Sequence, residues 1–197
     1  LALAHRLPLR HTTRRWQALA AAGADCVSHA PLEANDALGA APHHKGLIAD
    51  ADMFDHAFFR MSPSEARATD PQQRLLLEVA HEAIAASFSA PLNCHISVVV
   101  GLMNHDFARM HAQDAPLALT GGAASVAAGR LSFVYGLTCA AITIDTACSS
   151  SLAALHTASQ QLRGSPAVGA LAAAANLLLL PTTTLAFAFA GMLSPRC

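Results

Sequence analysis

The stretch AAITIDTACSSSLAALHTASQQL, residues 140–162, admits few folds. A short β-branched run passes into a helix-length segment with no connecting loop, so a strand feeds directly into a helix. The same alternation runs along the chain. HISVVVG (95–101) reads as a buried strand ended by Gly101. DPQQRLLLEVAHEAIAAS (70–87) reads as a helix with Asp70 as N-cap, Pro71 at the first helical position and Gln73 placed to complete a capping box. Its apolar face is Leu75, Leu76, Val79, Ala83 and Ile84. TGGAASVAAGRLSFVYGL (120–137) reads as a second helix, with Gly121 and Gly122 at its start and Gly136 near its end. Its small residues let another backbone approach closely. A third helix is expected over Ser149 to Leu162, and AVGALAAAANLLLLP (167–181) reads as a strand with a loop beyond it. Strands alternating with helices define an α/β fold with a largely parallel central sheet and helices on both faces.

Composition excludes several classes of function. With 12 basic and 13 acidic residues the net charge is −1, which lacks the electrostatic footprint of a nucleic-acid binder. Hydrophobic residues make up 53% and charged residues 13%, against a usual charged share of roughly 25%. Part of the surface is therefore expected to be covered by a partner or by further chain. Cys26, Cys94, Cys139, Cys148 and Cys197 form an odd set without a C-x-x-C pair, which argues against a zinc ribbon, a thioredoxin motif and a secreted disulfide framework. A reducing, intracellular setting fits, cytoplasm or plastid. Residues 1–24 hold four arginines and no acid, as a transit peptide does, yet Trp16 and Leu19 among alanines read as an ordinary amphipathic helix. Residues 167–190 are very apolar, but Asn176 and Pro181 interrupt them short of the roughly 18 residues a span needs, so no membrane span is expected. The first residue is Leu1 rather than Met, and a fragment or a processed product is expected.

Cys148 falls where the strand enters the helix. Unpaired N–H groups and the positive end of the helix dipole favour an anion there, such as a thiolate. Its backbone N–H is a ready donor for an oxyanion formed at an attacked carbonyl. The G-x-S-x-G signature of hydrolase elbows is absent. From spacing alone a nucleophile and a small buried cysteine packing a tight junction both fit.

Four segments then carry a resemblance. DTACSSSLAALH is similar to the active-site segment of β-ketoacyl synthases, specifically the ketosynthase domains of modular polyketide synthases and multidomain fatty acid synthases. DMFDHAFFRMSPSEARATDPQQRLLLEVAHEAI resembles the family's stretch around FFGISPREA and DPQQRLLLE. GGAASVAAGRLSFVYGL resembles AASVAAGRISYVLGL, and NLLLLPTTTLAFAFAGMLSP resembles NLLLSPE followed by AGMLSP. All four stand in the family's order between about residues 46 and 195.

The resemblance implies the N-terminal half of a thiolase-like fold, in which two similar α/β halves pack against a shared helical layer. Residues 1–197 would be part of one ketosynthase domain, its first strand and C-terminal half missing. It implies that Cys148 takes an acyl group from a phosphopantetheine thioester on an acyl carrier protein. That group then passes to the carbanion of a decarboxylated malonyl-type extender, a Claisen condensation through a covalent intermediate. No cofactor is bound by the domain itself. A homodimer is implied through the strand TCAAITID (138–145).

The family also uses two histidines, a lysine and a second oxyanion donor further downstream than residue 197, so these residues alone are expected not to condense. His156 lies eight residues along the helix, about 12 Å of rise, and reads as structural. His43, His44, His105 and His111 read as solvated loop histidines. Ala173 and Ala174 stand where the family has Gly-Gly, and methyls there are expected to crowd the sheet or pocket. Arg60 stands where the family usually has glycine. The alternative reading is a non-catalytic ketosynthase-like partner or scaffold that binds or holds acyl groups. Poor solubility of the chain alone is expected from its apolar surface.

Overall fold

The structure, a computed structural model, describes residues 4–5, 18, 21–22, 27–29, 44–87, 95–111, 117–164 and 166–194. Cys26, His43, Cys94, Cys197 and most of residues 1–24 lie outside the described residues. The chain divides into two units. One holds Asp52–Leu177 with Leu1–Ala2, the other Leu3–Ala51 with Leu178–Cys197.

In the smaller unit, strands β1 (Ser28–His29) and β2 (His44–Lys45) pair antiparallel, with Ser28 opposite Lys45. His44, expected in a loop, is therefore in a short strand.

The larger unit begins with helix α1 (Pro63–Ala68), where Ser62 Oγ accepts the Glu65 N–H at 3.1 Å and Pro63 occupies the first turn. Helix α2 (Pro71–Ser87) follows at once, capped by Asp70, whose Oδ1 accepts the Gln72 N–H at 2.7 Å. The capping box does not form. Gln73 instead donates from Nε2 to Gly121 O at 2.9 Å and Ala123 O at 3.1 Å, because its side chain points into the protein and is buried. The inward face is also shifted from the expected one. Leu75, Leu76, Leu77 and Ala80 are buried, whereas Val79, Ala83 and Ile84 are only half-buried.

Strand β3 (Ile96–Leu102) is buried along its whole length. It is followed by α3 (Asp106–Met110), α4 (Leu117–Gly122), α5 (Ala124–Tyr135), β4 (Ala141–Ile144), α6 (Ser150–Gly164) and β5 (Gly169–Ala175). The helix expected over 120–137 is thus two helices. Ala123 is extended between them, and Gly121 and Gly122 close α4 rather than open α5. The reason is steric: a Cβ at Gly121 would stand 1.7 Å from Ala68 O, and Gly121 O accepts the Asp70 N–H at 3.0 Å. Gly136 ends α5 with φ +64°, the left-handed cap glycine allows.

The sheet is parallel, in the order β4-β3-β5. Successive side chains of β3 point to opposite faces, so Val98 and Val100 join Leu76, Leu77, Ala80, Ala127, Ala128 and Leu131 from α2 and α5. Val99 meets Ala154 and Ala158 of α6 on the other face. Each such buried valine contributes roughly 1.5–3 kcal/mol. Helices cover both faces, which matches the expected fold class. β5 is only partly buried: Ala172 and Ala174 are exposed, and Ala173 packs against the α2–α5 core. The methyl of Ala174 therefore does not crowd the sheet.

In the smaller unit, residues expected as loop form helix α7 (Pro181–Phe189), with Pro181 in the first turn.

Candidate active site

All three strands of the sheet run the same way, so their C-terminal ends share one edge, where parallel α/β sheets place their sites. There Ile144 of β4, Gly101 of β3 and Ala174 of β5 lie in register. Asp145, Thr146, Ala147, Cys148 and Ser149 connect β4 to α6 beside this row.

The connection is an elbow built from its own short polar side chains. Ala147 takes φ +53°, a left-handed conformation that costs a non-glycine residue roughly 1–2 kcal/mol. Four hydrogen bonds hold it. Asp145 Oδ1 accepts the Ala147 N–H at 2.9 Å, and Ser150 Oγ accepts the Thr146 N–H at 2.9 Å. Ser150 Oγ donates in turn to Ala147 O at 2.7 Å, and Ser149 Oγ to Thr146 O at 2.7 Å. Ser150 is buried under the turn. The first two of the three serines after the cysteine are therefore braces. Short hydroxyl side chains bond nearby backbone, which is why they suit such a turn.

Cys148 is exposed at the outer side of the elbow and is a free thiol. The backbone amides of Thr146, Ala147, Ser149 and Ser150 are all taken, the last two by Thr146 O and Ala147 O. The backbone of Cys148 is bridged to that of Thr146. The elbow thus presents an exposed thiol at the entry to a helix. The close fit of α6 onto the sheet needs Gly101, where a Cβ would meet Ser150 O at 2.6 Å.

Behind the edge lies a buried polar network that sequence reasoning did not find. Gln72 Oε1 accepts the Leu177 N–H at 3.1 Å, and Gln72 Nε2 donates to Asn104 O at 3.0 Å. Asn104 Nδ2 donates to Asp106 Oδ2 at 3.1 Å and to Leu177 O. These bonds tie the segments leaving β3 and β5 to the start of α2. Burial pushes the Asp70 carboxyl up from its ordinary value, opposed by its bonds from Gln72. Farther out, Arg130 donates to Gln73 Oε1 at 2.8 Å and to Glu65 Oε1 at 2.9 Å, joining α5 to α1 and α2.

The histidines separate. His156 is exposed along α6, and His111 follows α3 with its ring against Phe107. His105, read as a solvated loop histidine, instead faces the elbow: its Nε2 is 3.8 Å from Asp145 Oδ2. Among the described residues no group of three or more His, Cys, Asp or Glu side chains is placed to hold a metal, and no helix is long and apolar enough to cross a membrane.

Comparison with known proteins agrees with the geometry. The family model "Beta-ketoacyl synthase, N-terminal domain" matches residues 1–197. The hybrid PKS-NRPS synthetase apdA of Emericella nidulans is 45% identical over 156 residues, covering 76% of this chain and 4% of that protein. The spectinabilin polyketide synthase system protein NorA' of Streptomyces orinoci is 39% identical over 186 residues, covering 89% of this chain and 5% of that protein. The chain thus spans about one-twentieth of the length of these curated relatives. Among solved structures, the ketosynthase from module 6 of the bacillaene synthase of Bacillus subtilis 168 superposes with a TM-score of 0.85 at 29% identity, over 99% of this chain and 34% of that one. A parallel sheet covered by helices on both faces, and this likeness, are those of part of a thiolase-like fold. The chain belongs to the β-ketoacyl synthase family, among the ketosynthases of polyketide synthases.

Proposed function

We propose that Cys148 is the acyl acceptor of a ketosynthase that condenses acyl groups in polyketide or fatty acid synthesis. The observation that carries this reading is the exposed Cys148 thiol at a braced strand-to-helix elbow. The thiolate attacks the carbonyl carbon of an acyl thioester. The oxygen of the tetrahedral intermediate accepts a hydrogen bond from the Cys148 N–H, the carbon–sulfur bond to the carrier breaks, and the carrier sulfur departs as a thiolate that takes a proton from water. The acyl group remains on Cys148 Sγ. Loss of carbon dioxide from a malonyl-type extender then gives a carbanion that attacks this thioester and releases the Cys148 thiolate.

Both substrates are carried on the phosphopantetheine of an acyl carrier protein, and no cofactor resident in the domain takes part. The work is set in a reducing intracellular compartment, which keeps the thiol free. A second copy of the chain pairs along β4, an edge strand whose outer side meets no other strand among the described residues. Residues 1–197 form part of one ketosynthase domain, and the decarboxylating histidines belong to the rest of it. The only histidine after Cys148 in the sequence is His156, too far along α6 to reach the thiol.

The test is to incubate the chain with an N-acetylcysteamine acyl thioester and read the mass of the Cys148 peptide. The acyl mass is expected on Cys148, with no condensation product when a malonyl thioester is added. Equal labelling of the parent and Cys148→Ala would overturn the assignment.

A further inference from the structure

The elbow carries a second pair of ionisable groups whose placement the proposed chemistry leaves unused. His105 opens α3 beyond the end of β3, and its Nε2 stands 3.8 Å from Asp145 Oδ2. The side chains are 41% and 51% exposed. Asp145 Oδ1, the other oxygen, accepts the Ala147 N–H at 2.9 Å. Ala147, with φ +53°, is the residue immediately before Cys148. One carboxylate thus grips the strained residue with one oxygen and faces an imidazole with the other.

Two consequences follow. An Asp145 side chain that swings away releases the Ala147 N–H and with it the left-handed turn that presents Cys148. An Asp145 that stays puts a negative charge inside the elbow, where it opposes a thiolate. A positive imidazole on the far oxygen acts against both effects. At 3.8 Å the contact is longer than a hydrogen bond and is one between charges only when the imidazole is protonated; between half-exposed groups its size is modest.

We propose that His105 is a positioning residue for Cys148: its protonated imidazole holds and screens the Asp145 carboxylate that braces the elbow. This rests on reading Cys148 as the nucleophile. The other charged groups around His105 are Asp106 and Arg109 on α3, which lie 3.7 Å from each other, and Asp70 at the start of α2, whose carboxyl feels the imidazole's charge. The ionisable side chains of α6 are His156 and Arg163, one and a half turns or more beyond its start.

The experiment is the rate at which iodoacetamide alkylates Cys148 in the whole chain, read on its peptide by mass spectrometry from about pH 5.5 to about pH 8.5, the range in which imidazoles titrate. His105→Ala is expected to slow alkylation about two- to fivefold at the acid end, the ratio to the parent approaching one at the alkaline end. His105→Asn, which keeps a polar group before α3, is expected to behave the same. In an Asp145→Asn background His105→Ala is expected to change nothing further, because the charge it screens is gone. Equal rates in parent and both His105 variants, or a slowing of the same size at every pH, would overturn the proposal. A parent Cys148 that reacts no faster than in the urea-unfolded chain would instead end the nucleophile reading. The pH-dependent ratio would still decide the role of His105.

Discussion

Gly101 of β3 and Ser150 of α6 approach so closely that a Cβ on the glycine would stand 2.6 Å from the Ser150 carbonyl oxygen and 3.0 Å from the Ser151 nitrogen. Both are backbone atoms, so no side chain can rotate aside. Helix α6, which begins at Ser150, is seated on the sheet through this one missing methyl. Gly101→Ala is therefore expected to lower stability by about 1–3 kcal/mol, as overpacking does. It should also shift the start of α6, breaking the Ser150 bonds to Thr146 and Ala147. Urea unfolding reads the first effect, and acyl labelling of Cys148 reads the second. A variant as stable and as readily labelled as the parent would show that α6 is not held by this contact.

The sequence carried the alternation of strands and helices, and with it the parallel sheet and the position of Cys148 at a strand-to-helix junction. It did so because β-branched runs and amphipathic periods are local signals. The break at Ala123 was not legible, since Gly121 is a helix end only by virtue of Ala68, which lies 53 residues earlier and meets it in space. The buried Gln72 and Gln73 were hidden for the same reason. A glutamine after a helix start reads as exposed or capping, and its burial is explained only by the carbonyls of Asn104, Gly121 and Ala123 that it bonds. At the elbow the reverse holds. Asp145, Ser149 and Ser150 each bond backbone no more than four residues away, so the signal for their bracing role lies locally in DTACSS. The approach of His105 to Asp145 was not, because β3 and β4 bring it about.

Arg60 has φ +56°, a left-handed conformation that glycine takes without strain. Its N–H still closes the turn onto Ala57 O at 3.0 Å, so the fold imposes the left-handed conformation on a residue unsuited to it. The side chain is exposed and makes no packing contact that glycine would forfeit in the core. Arg60→Gly is expected to raise stability by about 0.5–1.5 kcal/mol, the relief of the left-handed strain less glycine's greater loss of entropy on folding. Chemical denaturation of the two proteins side by side checks this. A destabilised variant would mean that Arg60 makes a compensating interaction.

Asp70 links stability to pH. Burial raises its carboxyl above the ordinary value of 3.8, with desolvation outweighing the Gln72 bonds and the nearby Arg74 and His105 charges. The folded protein therefore holds the Asp70 proton more tightly than the unfolded chain. Its contribution is present in full below the unfolded value and is lost as pH rises through the folded one. Asp70→Asn, which preserves a capping oxygen, is expected to flatten this fall in stability as pH rises above the ordinary carboxylate value. Thermal unfolding of both proteins across acidic pH measures it, and parallel curves would show that Asp70 is not the group responsible.

Helix α6 turns its larger side chains the wrong way for a helix lying on a sheet at the surface. Ala154 and Ala158 face the strands, while Leu152, Leu155 and Leu162 point outward, 70%, 56% and 50% exposed. Positions three and ten residues from Leu152 share its side of a helix, so the leucines form one row. A leucine fully removed from water is worth about 1.5–3 kcal/mol, so such a row gains from any surface that covers it. The chain by itself is therefore expected to associate as its concentration rises, and Leu152→Gln, Leu155→Gln and Leu162→Gln together to suppress that association. Because the row is already half-exposed, the triple change is expected to cost the fold of the single chain less than the same three changes in its core. Sedimentation velocity of the two proteins decides between the possibilities: association that persists unchanged in the triple variant would place the contact elsewhere, and a parent that stays monomeric would show that the row carries no attraction of its own.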